Sequence, residues 1–220
     1  MPLNYLKAIM YNINFAKNNV KLAVPYHPLE LNATNEEINS LLSYIKDESV
    51  QQFLTPEKQR GTEFIGSNYI RLVNGCIEPR ENNDTNWSNF YNWLEITPTQ
   101  EHINFYKNVR NLVVPLSAKM LASLADYTKQ KHYTHGVEIN TIFPGTDIKG
   151  HVDNHLAVAE THRLHIVLET NENSYMICNN EKRHFPVGSC FIFNNLMWHS
   201  VHNDGASPRT HLVVDFLTLA

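Results

Sequence analysis

The sequence predicts an α+β fold that is mainly β, in which helices precede a series of short strands. After Tyr133 apolar and polar residues alternate, and runs rich in β-branched and aromatic residues are separated by Pro-Gly, Asn-rich and Asn-Asp-Gly turns. Regularly spaced short strands of this kind are typical of an antiparallel sandwich or barrel. The predicted strands are Val137–Phe143, Leu164–Leu168, Ser174–Cys178, Cys190–Phe193, Trp198–His202 and His211–Phe216.

Two helical regions lie ahead of these strands. Thr34 and Glu37 have the spacing of a capping box, and the apolar stripe that follows them predicts an amphipathic helix. The second region begins at Thr97, with Pro98 at the first helical position, and Pro115 then restarts the helical pattern. The apolar stripes predict that these helices cover one face of a sheet.

The other N-terminal segments predict additional strands. Apolar patches at Tyr11–Phe15 and Val20–Val24 indicate one or two strands, which end where Pro25 and Pro28 interrupt the pattern. A further strand is predicted at Asn68–Val73, ahead of a turn.

Length and composition limit the possible classes of protein. A chain of 220 residues can bury one substantial core, which predicts a single domain over residues 1–220. The net charge of -4 provides no basic field for nucleic acid or an anionic membrane, so we expect neither partner, and the oligomeric state stays open. The three cysteines lack metal-ligand spacing, and no signal-peptide pattern opens the chain. We therefore expect a cytoplasmic protein with reduced thiols.

Three residues in the C-terminal half form a candidate metal site. His151 and Asp153 are two residues apart on a predicted strand, so their side chains leave the same face. His199 lies on a later apolar strand and completes the ligand set of a 2-His-1-carboxylate facial triad, which typically holds non-haem Fe(II). His202 should miss this site, because three residues along a strand lead to the opposite face.

Arg209 lies at the start of the last predicted strand. A guanidinium has a planar fork that matches a carboxylate, and it stays charged when buried. Together with the triad, Arg209 is therefore a candidate anchor for the distal carboxylate of a dicarboxylic acid beside the metal.

Over residues 138–216 the sequence resembles the aspartyl/asparaginyl β-hydroxylase family of Fe(II)- and 2-oxoglutarate-dependent dioxygenases, which includes proline cis-4-hydroxylases. The segments that carry this resemblance are PGTDIKGHVD, RLHIVL, GSCFIFNN and HSVHN, followed by the arginine of SPRTHLVVDF. The resemblance implies a double-stranded β-helix, or jelly-roll, as the catalytic core over residues 133–220. Residues 1–132 would then supply N-terminal strands and supporting helices.

The resemblance also implies roles for individual residues. His151, Asp153 and His199 would ligate Fe(II), and Arg209 would pair with the far carboxylate of the cosubstrate 2-oxoglutarate, with O₂ as the second cosubstrate. Some peptide-hydroxylating relatives have glycine in place of the carboxylate ligand. The presence of Asp153 therefore favours the branch that hydroxylates free amino acids.

Three more residues correspond to binding positions of the family, two of which contact carboxylates. Arg163 and His165 match an R-x-H strand, and Asn140 stands where some members carry a serine that assists the cosubstrate. We expect His165 and Asn140 to contact the cosubstrate and Arg163 to contact a carboxylate of the substrate. The alternative is that Arg163 pairs structurally with an acidic residue.

The predicted activity is hydroxylation of an amino acid, or of an aspartyl, asparaginyl or prolyl-type residue. Two alternatives stay open. A non-catalytic, cupin-like metal-binding jelly roll would keep the triad but would have no need of Arg209. A metal-dependent isomerase using Zn²⁺ or Mn²⁺ would usually add a fourth protein ligand.

Overall fold

A computed structural model of the chain describes residues 24–31, 33–53, 55–56, 67–73, 97–153 and 161–218. The helices are α1 (Asn35–Lys46), α2 (Glu48–Gln51) and α3 (Gln100–Thr128). The strands are β1 (Tyr26–Leu29), β2 (Thr55–Pro56), β3 (Ser67–Val73), β4 (His132–Ile142), β5 (Thr146–His151), β6 (Thr161–Glu169), β7 (Ser174–Cys178), β8 (Glu181–Arg183), β9 (Cys190–Phe193), β10 (His199–Asn203) and β11 (Arg209–Thr218). None of the described helices is both long and apolar enough to span a membrane.

Both predicted helical regions are present, and the second differs in detail from its prediction. The predicted capping box of Thr34 and Glu37 opens α1. Helix α3 begins after Thr99, two residues beyond the predicted start, because the Thr99 side chain accepts a bond from the backbone N–H of His102. It then continues through Pro115 as one helix. Pro115 is exposed, and the buried residues on either side pack on the sheet and offset the hydrogen bond that proline cannot donate.

The six strands predicted by alternation are all present, as β4, β6, β7, β9, β10 and β11. The prediction that Pro28 ends a strand is wrong, because Pro28 lies within β1. Strand β1 is at the edge of its sheet, where a missing N–H donor is tolerated. The strands predicted at Tyr11–Phe15 and Val20–Val24 lie outside the described residues, apart from Val24. The prediction at Asn68–Val73 is confirmed by β3.

Two antiparallel sheets face each other. The larger has the order β1-β9-β6-β11-β4-β3-β2, and the smaller has the order β5-β10-β7-β8. Strands that are adjacent in a sheet are mostly far apart in the sequence, which is the crossing pattern of a jelly roll. This topology confirms the predicted double-stranded β-helix core.

The core has two layers, one on each face of the large sheet. One layer joins α1 and α3 to the outer face through residues such as Leu41, Leu116 and Phe216. The other fills the space between the sheets and includes Phe191 from the large sheet and Val201 from the small one. The helices therefore cover one face, as predicted, and stiffen the sheet whose inner face carries the site.

Candidate active site

Strand pairing brings the two candidate histidine ligands together. His199 on β10 is the cross-strand partner of His151 on β5, and their ring centroids are 4.3 Å apart. His199 and Val201 on β10 pair with His151 and Ile148 on β5, so β5 has one extra residue between the paired positions, and this bulge turns His151 to the interior beside His199. Gly150 is needed at this irregularity, because a Cβ there would lie 1.7 Å from the ring of Trp198.

Each histidine presents its Nε2 atom to the candidate metal position. The Nδ1 atom of His151 lies 2.7 Å from the carbonyl oxygen of Lys149, and Nδ1 of His199 lies 2.8 Å from that of Met197. A carbonyl only accepts, so both Nδ1 atoms carry the proton and both Nε2 atoms carry a lone pair. Backbone carbonyls commonly orient metal-binding histidines in this way.

Asp153 supplies the third candidate ligand, although it lies two residues beyond the end of β5. The prediction that His151 and Asp153 share a strand is therefore wrong in detail. Asp153 is held instead by its backbone N–H, which donates to the carbonyl of Asn195 at 3.0 Å. One ligand atom from each of His151, Asp153 and His199 lies within 4.8 Å of the others. Two imidazoles and a carboxylate are a donor set that fits Fe(II).

The protonation states of these groups also suit a cation. Burial would raise the pKa of Asp153, but the Arg163 guanidinium and the bond from His151 outweigh it and hold that pKa well below its usual range. Burial lowers the pKa of His199 to about 4. The hydrogen bond with Asp153 raises the pKa of His151, so a metal ion would compete with a proton for that imidazole.

Arg209 forms a second polar centre inside the same space. Its side chain is buried, and its Nη2 donates to Nδ1 of His211 at 3.0 Å. Among the described residues, no carboxylate lies within 4.0 Å of this guanidinium. Burial lowers its pKa to about 9, opposed by the nearby Tyr26 hydroxyl. A buried cation without an anion is costly, so this site is suited to a carboxylate from outside the chain.

Three unpaired polar atoms accompany Arg209. Tyr26 Oη, Asn140 Oδ1 and His165 Nε2 are buried without a hydrogen-bond partner among the described residues. Because His211 Nδ1 accepts from Arg209, His165 must donate its Nδ1 proton across the 3.2 Å to His211, which leaves a lone pair on His165 Nε2. Buried polar groups are rarely left unpaired, so these atoms mark a polar ligand pocket.

Arg163 lies on the inner face of β6, as does His165, in agreement with the predicted alternation. Its guanidinium makes a two-bond contact with Asp215, Nε to Oδ1 at 2.9 Å and Nη2 to Oδ2 at 3.0 Å. Its Nη1 donates to Asp153 Oδ2 at 2.5 Å. These contacts match the alternative of structural pairing, and the substrate-binding role of Arg163 stays a prediction.

His202 lies away from the site, in agreement with its prediction. Its Nδ1 is 3.0 Å from Asp147 Oδ1, and its Nε2 is 2.9 Å from Ser200 Oγ. His202 and Ser200 point to the face of β10 opposite His199, so this polar network belongs to the outside of the small sheet.

Sequence reasoning missed Tyr26 and gave no role to Asp215. Alternation along β11 from Arg209 through His211 places Asp215 on the inner face, so the signal for Asp215 was present. No comparable signal marks Tyr26, because β1 lies far from β11 in the chain. Tyr26 reaches the pocket because β1 pairs with β9 at the edge of the large sheet.

Comparisons with known proteins agree with this geometry. A family model described as aspartyl/asparaginyl beta-hydroxylase matches residues 63–218. A search of curated proteins found no match.

Solved structures show the same fold at low sequence identity. The chain is similar to the non-heme alpha ketoglutarate dependent carbocyclase SnoK from nogalamycin biosynthesis, with a TM-score of 0.57 and 12% identity over 93% of this chain and 85% of that one. It is also similar to a prolyl hydroxylase from Trichoplax adhaerens, solved with a hypoxia inducible factor peptide fragment, with a TM-score of 0.51 and 10% identity over 99% and 94% of the two chains.

A third match is an oxidoreductase of the 2OG-Fe(II) oxygenase family from Burkholderia pseudomallei. It has a TM-score of 0.43 and 16% identity over 51% of this chain, and the chain spans only 57% of that protein. The family model, in contrast, matches well over half of the sequence. The chain therefore belongs to the aspartyl/asparaginyl β-hydroxylase family of Fe(II)- and 2-oxoglutarate-dependent dioxygenases.

Proposed function

We propose that this protein hydroxylates a small substrate that carries a carboxylate, with a free amino acid as the first class to test. Family membership confirms the predicted enzyme class and its cofactors, and the substrate is the open question. The observation that carries the proposal is the placement of the His151, Asp153 and His199 ligand atoms in the same interior as the buried guanidinium of Arg209, which has no carboxylate partner among the described residues.

In this proposal His151, Asp153 and His199 hold Fe(II) through two Nε2 atoms and one carboxylate oxygen. When bound, the iron and 2-oxoglutarate supply the oxidative decarboxylation that activates O₂ and hydroxylates a C–H bond of the substrate. The protein holds the ligands: Lys149 and Met197 fix the imidazoles, and the backbone of Asp153 is tied to Asn195.

Arg209 binds the distal carboxylate of 2-oxoglutarate, with the Tyr26 hydroxyl as a second donor. Both groups are buried and lack a carboxylate partner among the described residues, so the cosubstrate would supply the missing acceptor. His165 and Asn140 lie beside them as predicted cosubstrate contacts. His165 Nε2 carries a lone pair, so this imidazole would donate to a carboxylate only after it gains a proton.

The substrate class rests on the family branch and on the presence of Asp153. An amino acid or an aspartyl, asparaginyl or prolyl-type residue fits the predicted activity. The prolyl hydroxylase solved with a peptide fragment does not decide between these options, because its similarity to this chain shows the fold alone. We also propose that residues 133–220 are the catalytic core of a single domain and that the protein is cytoplasmic. The buried free thiols of Cys178 and Cys190 suit a reducing compartment.

The test is 2-oxoglutarate turnover in air, with and without Fe(II), across the twenty amino acids and a peptide library. We expect iron-dependent formation of succinate that one amino-acid class stimulates, with a hydroxylated product identified by mass spectrometry. Stimulation by peptides alone would assign the protein to the peptide-hydroxylating branch. Metal binding without any succinate would favour the non-catalytic, cupin-like alternative.

A further inference from the structure

Arg163 connects two carboxylates that have different environments. Its Nε and Nη2 atoms donate to the two oxygens of Asp215, at 2.9 and 3.0 Å, and its Nη1 donates to Asp153 Oδ2 at 2.5 Å. The three side chains are largely buried, with 20% of Arg163, 15% of Asp153 and 11% of Asp215 exposed. A guanidinium is a rigid plane, so the two bonds to Asp215 set the direction of the third nitrogen.

The two oxygens of Asp153 are consequently not equivalent. Oδ1 lies 3.5 Å from Nε2 of His151, on the side of the candidate metal position. Oδ2 is taken by Arg163. A carboxylate that binds a metal through one oxygen occupies one coordination position, whereas a carboxylate that binds through both occupies two.

Asp215 is held in place independently of the metal site. It is the cross-strand partner of Arg163 in the pairing of β11 with β6, and Thr161 Oγ1 donates to its Oδ1 at 3.4 Å. Asp215 therefore belongs to the rigid large sheet, while Asp153 lies beyond the end of β5 on the opposite side of the interior. Because Arg163 is bonded to both carboxylates, it fixes the Asp153 carboxylate relative to the large sheet.

We propose that Asp215 is a positioning residue that acts through Arg163 to present only Oδ1 of Asp153 to the metal. This inference rests on the proposed function. The arrangement keeps one more coordination position open for the cosubstrates than a two-oxygen carboxylate would leave. It also commits three nitrogens of the Arg163 guanidinium to the metal site.

The experiment compares Asp215→Asn with the wild-type protein, using Co(II) alone as the probe. We expect about a tenfold or larger loss of Co(II) affinity, in the range found when partners of metal ligands are removed. We also expect a changed visible absorption spectrum, because Asp153 would be free to bind with both oxygens and alter the coordination number. The matched control is Asp147→Asn, which removes an acid of the same type from the outer face and should leave affinity and spectrum unchanged.

The outcomes separate this inference from the proposed function. If the wild-type protein does not bind Co(II), the metal site itself is wrong. If it binds, and Asp215→Asn has the same affinity and spectrum, the positioning role is wrong, even where thermal stability falls. If Asp215→Asn does not fold, the Co(II) affinity and visible spectrum of Arg163→Lys test the positioning role instead. A lysine keeps the charge but cannot bond both carboxylates in a fixed plane, so wild-type affinity and spectrum in that variant would overturn the proposal.

Discussion

His151, Asp153 and His199 should each be required for iron binding but not for folding. Their side chains meet at the end of strands that the interior core already holds together, so their removal leaves that core intact. We expect the alanine variant of each residue to lose measurable Fe(II) binding in an anaerobic titration, with an unchanged circular dichroism spectrum. The control is His202→Ala on the outer face. Wild-type affinity in any one of the three variants would remove that residue from the ligand set.

Arg209 should control the affinity for 2-oxoglutarate. Loss of the guanidinium in Arg209→Ala leaves a carboxylate poorly paired in a buried pocket, at a cost on the order of 2 to 5 kcal/mol. That cost corresponds to an apparent KM for 2-oxoglutarate raised roughly 30-fold to a few thousand-fold. Tyr26→Phe removes one neutral hydrogen bond of about 1 kcal/mol and should raise KM roughly fivefold. An unchanged cosubstrate KM in Arg209→Ala would exclude it from the pocket.

Among the elements, helix α3 should be less stable than it could be, because Pro115 lies in its interior. This residue is exposed within a helix of 29 residues, and it cannot donate the hydrogen bond to the carbonyl of Asn111. Pro115→Ala should therefore raise the free energy of unfolding by about 1 to 3 kcal/mol, measured by urea titration. Lys107→Ala, also exposed on α3, should change it by less than about 0.5 kcal/mol. A destabilised Pro115→Ala would mean that the packing of α3 depends on the proline itself.

The site depends on elements that approach it from several directions. The small sheet supplies His151 and His199, the large sheet supplies Arg163 and Arg209, and the edge strand β1 supplies Tyr26. Helix α3 packs on the opposite face of the large sheet. Its role is to keep the inner face rigid, which explains why the helical region is long although no candidate ligand lies on it.

For the whole molecule, acid should destabilise the metal-free protein well above the range in which carboxylates titrate. Burial and Arg209 hold the pKa of both His165 and His211 well below the ordinary value of 6.5. These histidines stay neutral in the folded state and gain a proton on unfolding. Stability therefore falls as the pH drops below about 6.5, by up to about 1.4 kcal/mol per pH unit for each histidine.

Urea titrations of the metal-free protein at pH 7.5, 6.5 and 5.5 test this dependence. His165→Gln should reduce the slope of stability against pH, because it removes one of the buried imidazoles that are neutral in the folded state. His202→Gln, on the outer face, should leave the slope unchanged. A stability that is constant from pH 7.5 to 5.5 would contradict the burial of neutral imidazoles in the folded state.

The sequence by itself determined the parts of this protein that depend on local periodicity. Alternation placed Arg163 and His165 on one face of a strand and Leu164 on the other, and the structure confirms this division. The ordered motifs identified the family and, through the resemblance, predicted the ligand set and the role of Arg209. These inferences hold because a strand alternates its faces whatever it pairs with, and because capping residues such as Thr34 act within one turn of helix.

Only the tertiary structure decided which partners these side chains meet. Arg163 faces the interior, as alternation predicts, but its contact with Asp153 and Asp215 depends on the register between β6 and β11 and on a segment beyond β5. Tyr26 enters the pocket because β1 adds to the sheet edge beside β9. Pro115 remains helical because the flanking residues of α3 are buried. In each case non-local packing sets the outcome, since the free energy of burial exceeds the local preference that the sequence displays.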